Sequence, residues 1–148
     1  MREVRLTAEL RQRVTDRAHG CCEYCWSQAR YATQAFSVEH ILARARGGTT
    51  ALENLALACQ GCNNHKYDKT EASDPISGQH VPLYHPRQDH WNEHFAWSDD
   101  FTLILGLTPT GRATVAALLL NREGVVNLRR LLYAWGEHPP PRSIPEQA

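Results

Sequence analysis

Two cysteine pairs of equal spacing, Cys22-Glu23-Tyr24-Cys25 and Cys59-Gln60-Gly61-Cys62, constrain this chain more than any other feature. A two-residue spacer lets both thiolates of one turn reach a single ion, and two such turns complete the tetrahedral sulfur shell that Zn²⁺ prefers. A closed shell of four thiolates has no open coordination position, so the ion braces the fold and does no chemistry. Either pair alone also reads as the redox dithiol of a thiol-disulfide oxidoreductase; together Cys22, Cys25, Cys59 and Cys62 point to a structural zinc site. All five cysteines lie between positions 21 and 62, and Met1 is followed by charged residues without an apolar leader. A cytoplasmic location is therefore expected, where clustered cysteines favour metal over disulfides. Cys21 has a less usual spacing to Cys25 and is expected to be a buried free thiol.

The knuckles are separated by residues 26–58, further apart than the roughly 15 to 20 residues of a common zinc ribbon, so something is inserted between them. Phe36-Ser37-Val38-Glu39-His40-Ile41 alternates apolar and polar residues as a strand does, Gly47-Gly48-Thr49-Thr50 breaks it with a loop, and Leu55-Ala56-Leu57-Ala58 reads as a second strand. The second knuckle then opens a helix running to about Lys69. Before all this, Leu6, Leu10, Val14 and Ala18 recur every four residues and predict a supporting helix that ends at His19-Gly20.

The rest reads as an extension packed on the first half. Asp74-Pro75 and Ser77-Gly78 mark a long surface connection, a hairpin is predicted through Phe95–Trp97 and Phe101–Leu105, Thr108-Pro109 starts a helix to Leu120, and Asn121 is expected to cap another through Trp135. The expected organisation is thus a supporting helix in 1–20, a core in 21–70, an extension of hairpin plus two helices in 71–137, and a mobile proline-rich tail in 138–148.

A chain of 148 residues is one domain's worth, and no apolar run approaches the roughly 18 residues of a membrane helix. Its 16 basic and 16 acidic residues cancel, but residues 1–70 carry ten Arg and Lys against seven Asp and Glu (+3), and 71–148 carry six against nine (−3). Most of the bases are Arg, whose planar donors suit phosphate; a solvated charged face explains the same composition.

Cys22-x2-Cys25, Glu39-His40-Ile41, Gly47-Gly48, Glu53-Asn54-Leu55, Cys59-x2-Cys62-Asn63 and Lys66 resemble, in order and spacing, the HNH endonuclease family. The resemblance covers about residues 21–69. It implies an α+β chain with a ββα-metal core braced by the four-cysteine zinc site, here followed by an α/β C-terminal extension. It also implies a metal-dependent endonuclease acting on DNA, RNA being the alternative polymer, with Mg²⁺ or Mn²⁺ held by the residue before the first histidine and by the last Asn or His of the motif. Those positions are Glu39, where most relatives have Asp, and Asn63. Segments 81–87 and 106–115 resemble an extension found in some small HNH proteins.

The residue types fit that chemistry independently. Hydrolysis of a phosphodiester needs a base to take the proton of water and a cation to neutralise the phosphate. His40 is the natural base, since imidazole titrates near neutral pH. Glu39 and Asn63 supply hard oxygen donors. Neighbours on a strand face opposite sides, so Glu39 and His40 converge only if a bulge or the strand end intervenes. Asn54 either braces the loop and orients His40 through a hydrogen bond or serves as an N-terminal cap or turn former before Leu55. Lys66, one helical turn from Asn63, reaches a phosphate or is a solvated helix residue. His65 lies about 200° around the helix from Asn63, so only one of them faces the ion; Asn63, adjacent to the cysteine, is favoured and His65 is left to solvent or DNA. Arg44, Arg46, His65 and Lys66 are the expected nucleic-acid contacts. The alternative function is a zinc-braced nucleic-acid-binding module without catalysis.

His90 and His94 stand one turn apart, but no glutamate follows the first histidine as a metalloprotease helix requires, so they are expected to be structural along with Trp91, Phe95 and Trp97. Arg87, Arg112, Arg129 and Arg130 are expected in ion pairs with Asp89, Asp99 or Glu123. Tyr24 and Trp26 are expected to pack over the zinc, stacking on bases being the other possibility.

Overall fold

The computed structural model describes residues 5–141. Thr7 opens α1 (Ala8–Arg17) by accepting a hydrogen bond from the Leu10 amide on its hydroxyl, the role that favours short hydroxyl side chains at this position. The four-residue apolar repeat then packs Leu10, Val14 and Ala18 against Leu55 and Leu57. Arg17 fastens the end of α1 by donating to the carbonyls of Leu52 and Leu55, at 3.0 and 2.6 Å.

Beyond the first knuckle, β1 (Ser37–His40) and β2 (Leu55–Ala58) pair antiparallel without interruption, from Ser37 opposite Ala58 to His40 opposite Leu55. α2 (Gln60–Lys66) leaves directly from β2, shorter than expected because Tyr67 adopts a positive φ of 54°. The Gly-Gly loop has a packing reason. Gly47 ends a short turn at φ +99°, and a Cβ on Gly48 would stand 1.7 Å from the Leu42 carbonyl oxygen. Only glycine fits both places.

Further on, β3 (Glu71–Ser73) pairs with β4 (His80–Pro82), α3 (Trp91–His94) leads into β5 (Phe95–Trp97) paired with β6 (Ile104–Gly106), and α4 (Pro109–Leu118) and α5 (Glu123–Ala134) follow. The described residues thus form three separate two-stranded sheets with helices packed on them. The β3–β4 hairpin replaces the surface connection read from the turn formers. Its tip is organised by the buried Asp74, which accepts from Ile76 N and Ser77 Oγ and forms a two-pronged ion pair with Arg112 at 2.9 and 2.8 Å.

Asn121 does not cap α5. Its amide bridges to β6 instead, accepting from Ile104 N and donating to Ile104 O, and it also accepts from Arg129. Arg122 occupies the cap position, and its side chain makes no capping bond to α5. The main core gathers the knuckles with Tyr24, Trp26, Tyr84, Trp91, Phe95, Ile104 and Leu118, so the extension and the cysteine cluster share one interior. His138 and Pro140, at the start of the expected tail, are packed against that body, with His138 Nε2 2.8 Å from the Phe101 carbonyl. Residues 142–148 of the expected tail lie outside the described residues. No helix among the described residues is long and apolar enough to cross a membrane.

Candidate metal centre and active site

The two knuckles bring Cys22, Cys25, Cys59 and Cys62 together with all sulfurs within 4.8 Å of one another, and all four are buried. Cys25 Sγ and Cys59 Sγ are 3.7 Å apart, close to the edge of about 3.8 Å that tetrahedral Zn–S bonds of about 2.3 Å produce. Backbone amides of Cys25 and Cys62 donate to the sulfurs of Cys22 and Cys59, each at 3.5 Å. The donor set fits Zn²⁺. Cys21 stands outside it, with its thiol donating to the His19 carbonyl at 3.6 Å.

Tyr24 and Trp26 are core residues. Trp26 meets the Trp91 ring edge to face at 5.9 Å, and Trp91 Nε1 donates to the Tyr24 carbonyl. Neither ring is presented for stacking on a base.

His40 sits half-buried at the end of β1, with its Nε2 3.0 Å from the hydroxyl of the buried Thr50. Burial lowers its pKa from the ordinary 6.5. The orienting partner is thus Thr50, where the sequence offered Asn54. The Asn54 side chain braces the loop: its amide donates to the carbonyls of Leu42 and Thr49 and its oxygen accepts from Leu42 N. Thr50 carries no motif signal, and only the folding back of the Gly-Gly loop puts it beside the imidazole.

Glu39 corrects the expected ion site. The β1–β2 ladder contains no bulge at this pair, so Glu39 turns to the face opposite His40. There its carboxylate is buried, 2.7 Å from the Lys66 ammonium, and accepts from the Tyr24 hydroxyl at 2.5 Å. Burial pushes the Glu39 carboxyl up, against the pull of Lys66 and Tyr24; burial and the Glu39 charge both raise Tyr24.

Lys66 is only 2% exposed and also donates to the Ile41 carbonyl at 2.8 Å, so it is neither a phosphate contact nor a solvated residue. An ion with Glu39 as ligand would have to displace this ammonium from a closed interior. The side chains as arranged do not fit the expected Glu39–Asn63 ion set. Among the described residues, the cysteine cluster is the one group of three or more His, Cys, Asp and Glu side chains close enough to share an ion.

Asn63 and His65 are half-buried on α2, on different sides of the helix. Arg44 and Arg46 are exposed on the loop, and Arg46 ties it to the chain after α2 through the Asp68 carbonyl at 3.0 Å. His94 bonds the Thr108 hydroxyl at 2.6 Å. The arginines of the extension find other partners than expected. Arg87 pairs with the buried Glu23, Arg112 with Asp74, Arg129 with the carbonyls of Thr102 and Leu120, and Arg130 with the Asn127 amide. Sequence reasoning missed the Tyr24–Glu39–Lys66 cluster, Thr50 and Arg122, whose guanidinium reaches the sulfurs of Cys59 and Cys62.

Residues 22–69 match the family model described as HNH endonuclease. The match spans both knuckles, the hairpin and α2, and leaves out α1 and the extension. No curated protein and no solved structure matches the chain.

Proposed function

We propose that the HNH endonuclease segment, residues 22–69, forms a ββα-metal core that hydrolyses phosphodiester bonds in DNA with His40 as general base. The observation that carries this reading is an imidazole at the mouth of the β1–β2 hairpin, inside the matched segment, held through one ring nitrogen by a buried hydroxyl. With Nε2 engaged by Thr50, Nδ1 is the nitrogen that takes the proton of water. The lowered pKa keeps His40 neutral, and so able to accept that proton, at neutral pH.

As water attacks in line with the leaving oxygen, negative charge builds on the phosphate. Arg44, Arg46 and His65 border the hairpin and α2 and supply donors to the DNA backbone, which makes binding weaken with salt. Asn63 offers an amide oxygen on the neighbouring helix. The family resemblance implies Mg²⁺ or Mn²⁺ in addition. Glu39 offers such an ion no ligand while Lys66 holds it, so no step is assigned to the ion and Glu39 is given the task of locking β1 to α2.

The test is cleavage of supercoiled plasmid with Mg²⁺, Mn²⁺ or EDTA. His40→Ala is expected to slow cleavage about 10³-fold, within the range removed with a general base, while zinc content and melting temperature stay those of the native chain. An equally active His40→Ala protein overturns the base assignment. A native chain that binds DNA but leaves it uncut with Mg²⁺ and with Mn²⁺ is the non-catalytic module.

A further inference from the structure

We propose that Arg122 is an outer clamp on the zinc centre, carried in from the C-terminal extension, and that it shields Cys59, the ligand through which electrophiles reach the cluster. Four thiolates around Zn²⁺ leave a net charge of −2, and a buried charge of that size is costly unless it is paired and hydrogen-bonded. The planar fork of an arginine suits the task, because it delivers two donors at once. Arg122 Nη2 lies 3.2 Å from Cys59 Sγ and Nη1 3.7 Å from Cys62 Sγ.

The fork is aimed by a further bond from Nη1 to the Leu119 carbonyl at 3.0 Å. The second knuckle leaves room for it at Gly61, where a Cβ would stand 2.5 Å from Arg122 Nη2. The four ligands are not equally shielded. Cys22, Cys25 and Cys62 are 0% exposed and Cys59 is 8% exposed. A cavity of about 400 Å³ opens on that side, lined by Cys59 and Arg122 together with Tyr31, Phe36, Val125 and Leu128. A small reagent entering it is brought to Cys59 and Arg122 on the same side of the cluster. Hydrogen bonds to a thiolate draw density from its lone pairs, so the clamp lowers the nucleophilicity of the sulfur it covers.

This inference rests on zinc being bound by the four cysteines and is independent of the hydrolytic reading. The reagent for its test is N-ethylmaleimide. The Cys59 sulfur adds to the carbon–carbon double bond, an S–C bond forms as the Zn–S bond breaks, and the resulting enolate takes a proton from water. The thioether left behind is a poor ligand, and the ion is released.

The experiment uses the full zinc-loaded chain carrying Cys21→Ser, so that only the four ligands can react. Zinc release is followed with a chromogenic chelator and adducts are located by mass spectrometry. The first adduct is expected on Cys59. Arg122→Gln is expected to release zinc about tenfold faster, at the low end of what outer-shell partners contribute to metal affinity, with Arg122→Lys between the two. An Arg122→Gln chain that releases zinc at the unmodified rate overturns the clamp. A first adduct on Cys22, Cys25 or Cys62 overturns the shielding of Cys59. Should Arg122→Gln fail to fold, Arg122→Lys carries the rate comparison, and the adduct order is read without either variant. Elemental analysis showing no zinc in the purified chain overturns the metal site itself, which separates that failure from the others.

Discussion

The sulfur cluster and the His40 edge belong to the same hairpin and helix, but they are finished differently. At the cluster all four cysteines are buried, Cys59 the least, and the extension lays Arg122 against Cys59 and Cys62. At the hairpin mouth the Gly-Gly loop folds back far enough to supply Thr50 and stops there, leaving the imidazole half-exposed. Between the two lies the Tyr24–Glu39–Lys66 cluster, a buried carboxylate paired with an ammonium and bonded by a phenol. A carboxylate that neighbours His40 in sequence is thereby assigned to the closed side. Adjacency along a strand and adjacency in a site are different things, because a regular strand sends neighbours to opposite faces.

The comparison breaks most readily at the closed end. Cys62→Ser removes one ligand, and since structural zinc contributes about 10 to 16 kcal/mol in apparent terms, the chain is expected to lose both its ion and a cooperative melt by circular dichroism. A Cys62→Ser protein that melts like the native chain removes the closed end as the support of the fold. His40→Ala, at the open end, is expected to do the converse, lowering the cleavage rate about 10³-fold with the melting temperature kept.

Lys66→Met probes the middle. It leaves Glu39 as an uncompensated buried charge, so urea denaturation is expected to show a loss of about 3 kcal/mol, and adding Glu39→Gln should return part of it. No recovery in the double variant means that Lys66 acts through packing alone. Thr50→Val keeps the shape and removes the hydroxyl; about 1.4 kcal/mol of lost orientation corresponds to a tenfold slower cleavage rate. The smallest effect is on pH dependence. In the proposed role of neutral base, with its pKa lowered from 6.5 by burial, His40 is expected to give a rate that falls as pH drops, with its midpoint below pH 6.5. A midpoint above pH 6.5 removes His40 as the titrating base.

Much of the frame was legible because it rests on local spacing. The C-x2-C pairs named all four sulfurs, and Thr108 caps the helix that Thr108-Pro109 was read to start. The second strand was readable from its apolar run, and the breaking of β1 from Gly47-Gly48. What failed depended on contacts distant along the chain. Asn121 has the chemistry of a cap, yet β6 takes its amide groups. Asp74 belongs to a turn by type, yet Arg112, on α4, draws it inside. Lys66 has the composition of a surface residue, and nothing near it in sequence announces that Glu39 and Tyr24 wait beneath it.

The sequence by itself determined the ligands of the closed centre and the position of the imidazole, since short-range spacing dictates which side chains one turn can bring together. Only the tertiary structure decided which polar groups remain available to a substrate. A buried charge must find its partner wherever the folded chain supplies one, and the Tyr24 and Lys66 that claim Glu39 come from opposite ends of the matched segment.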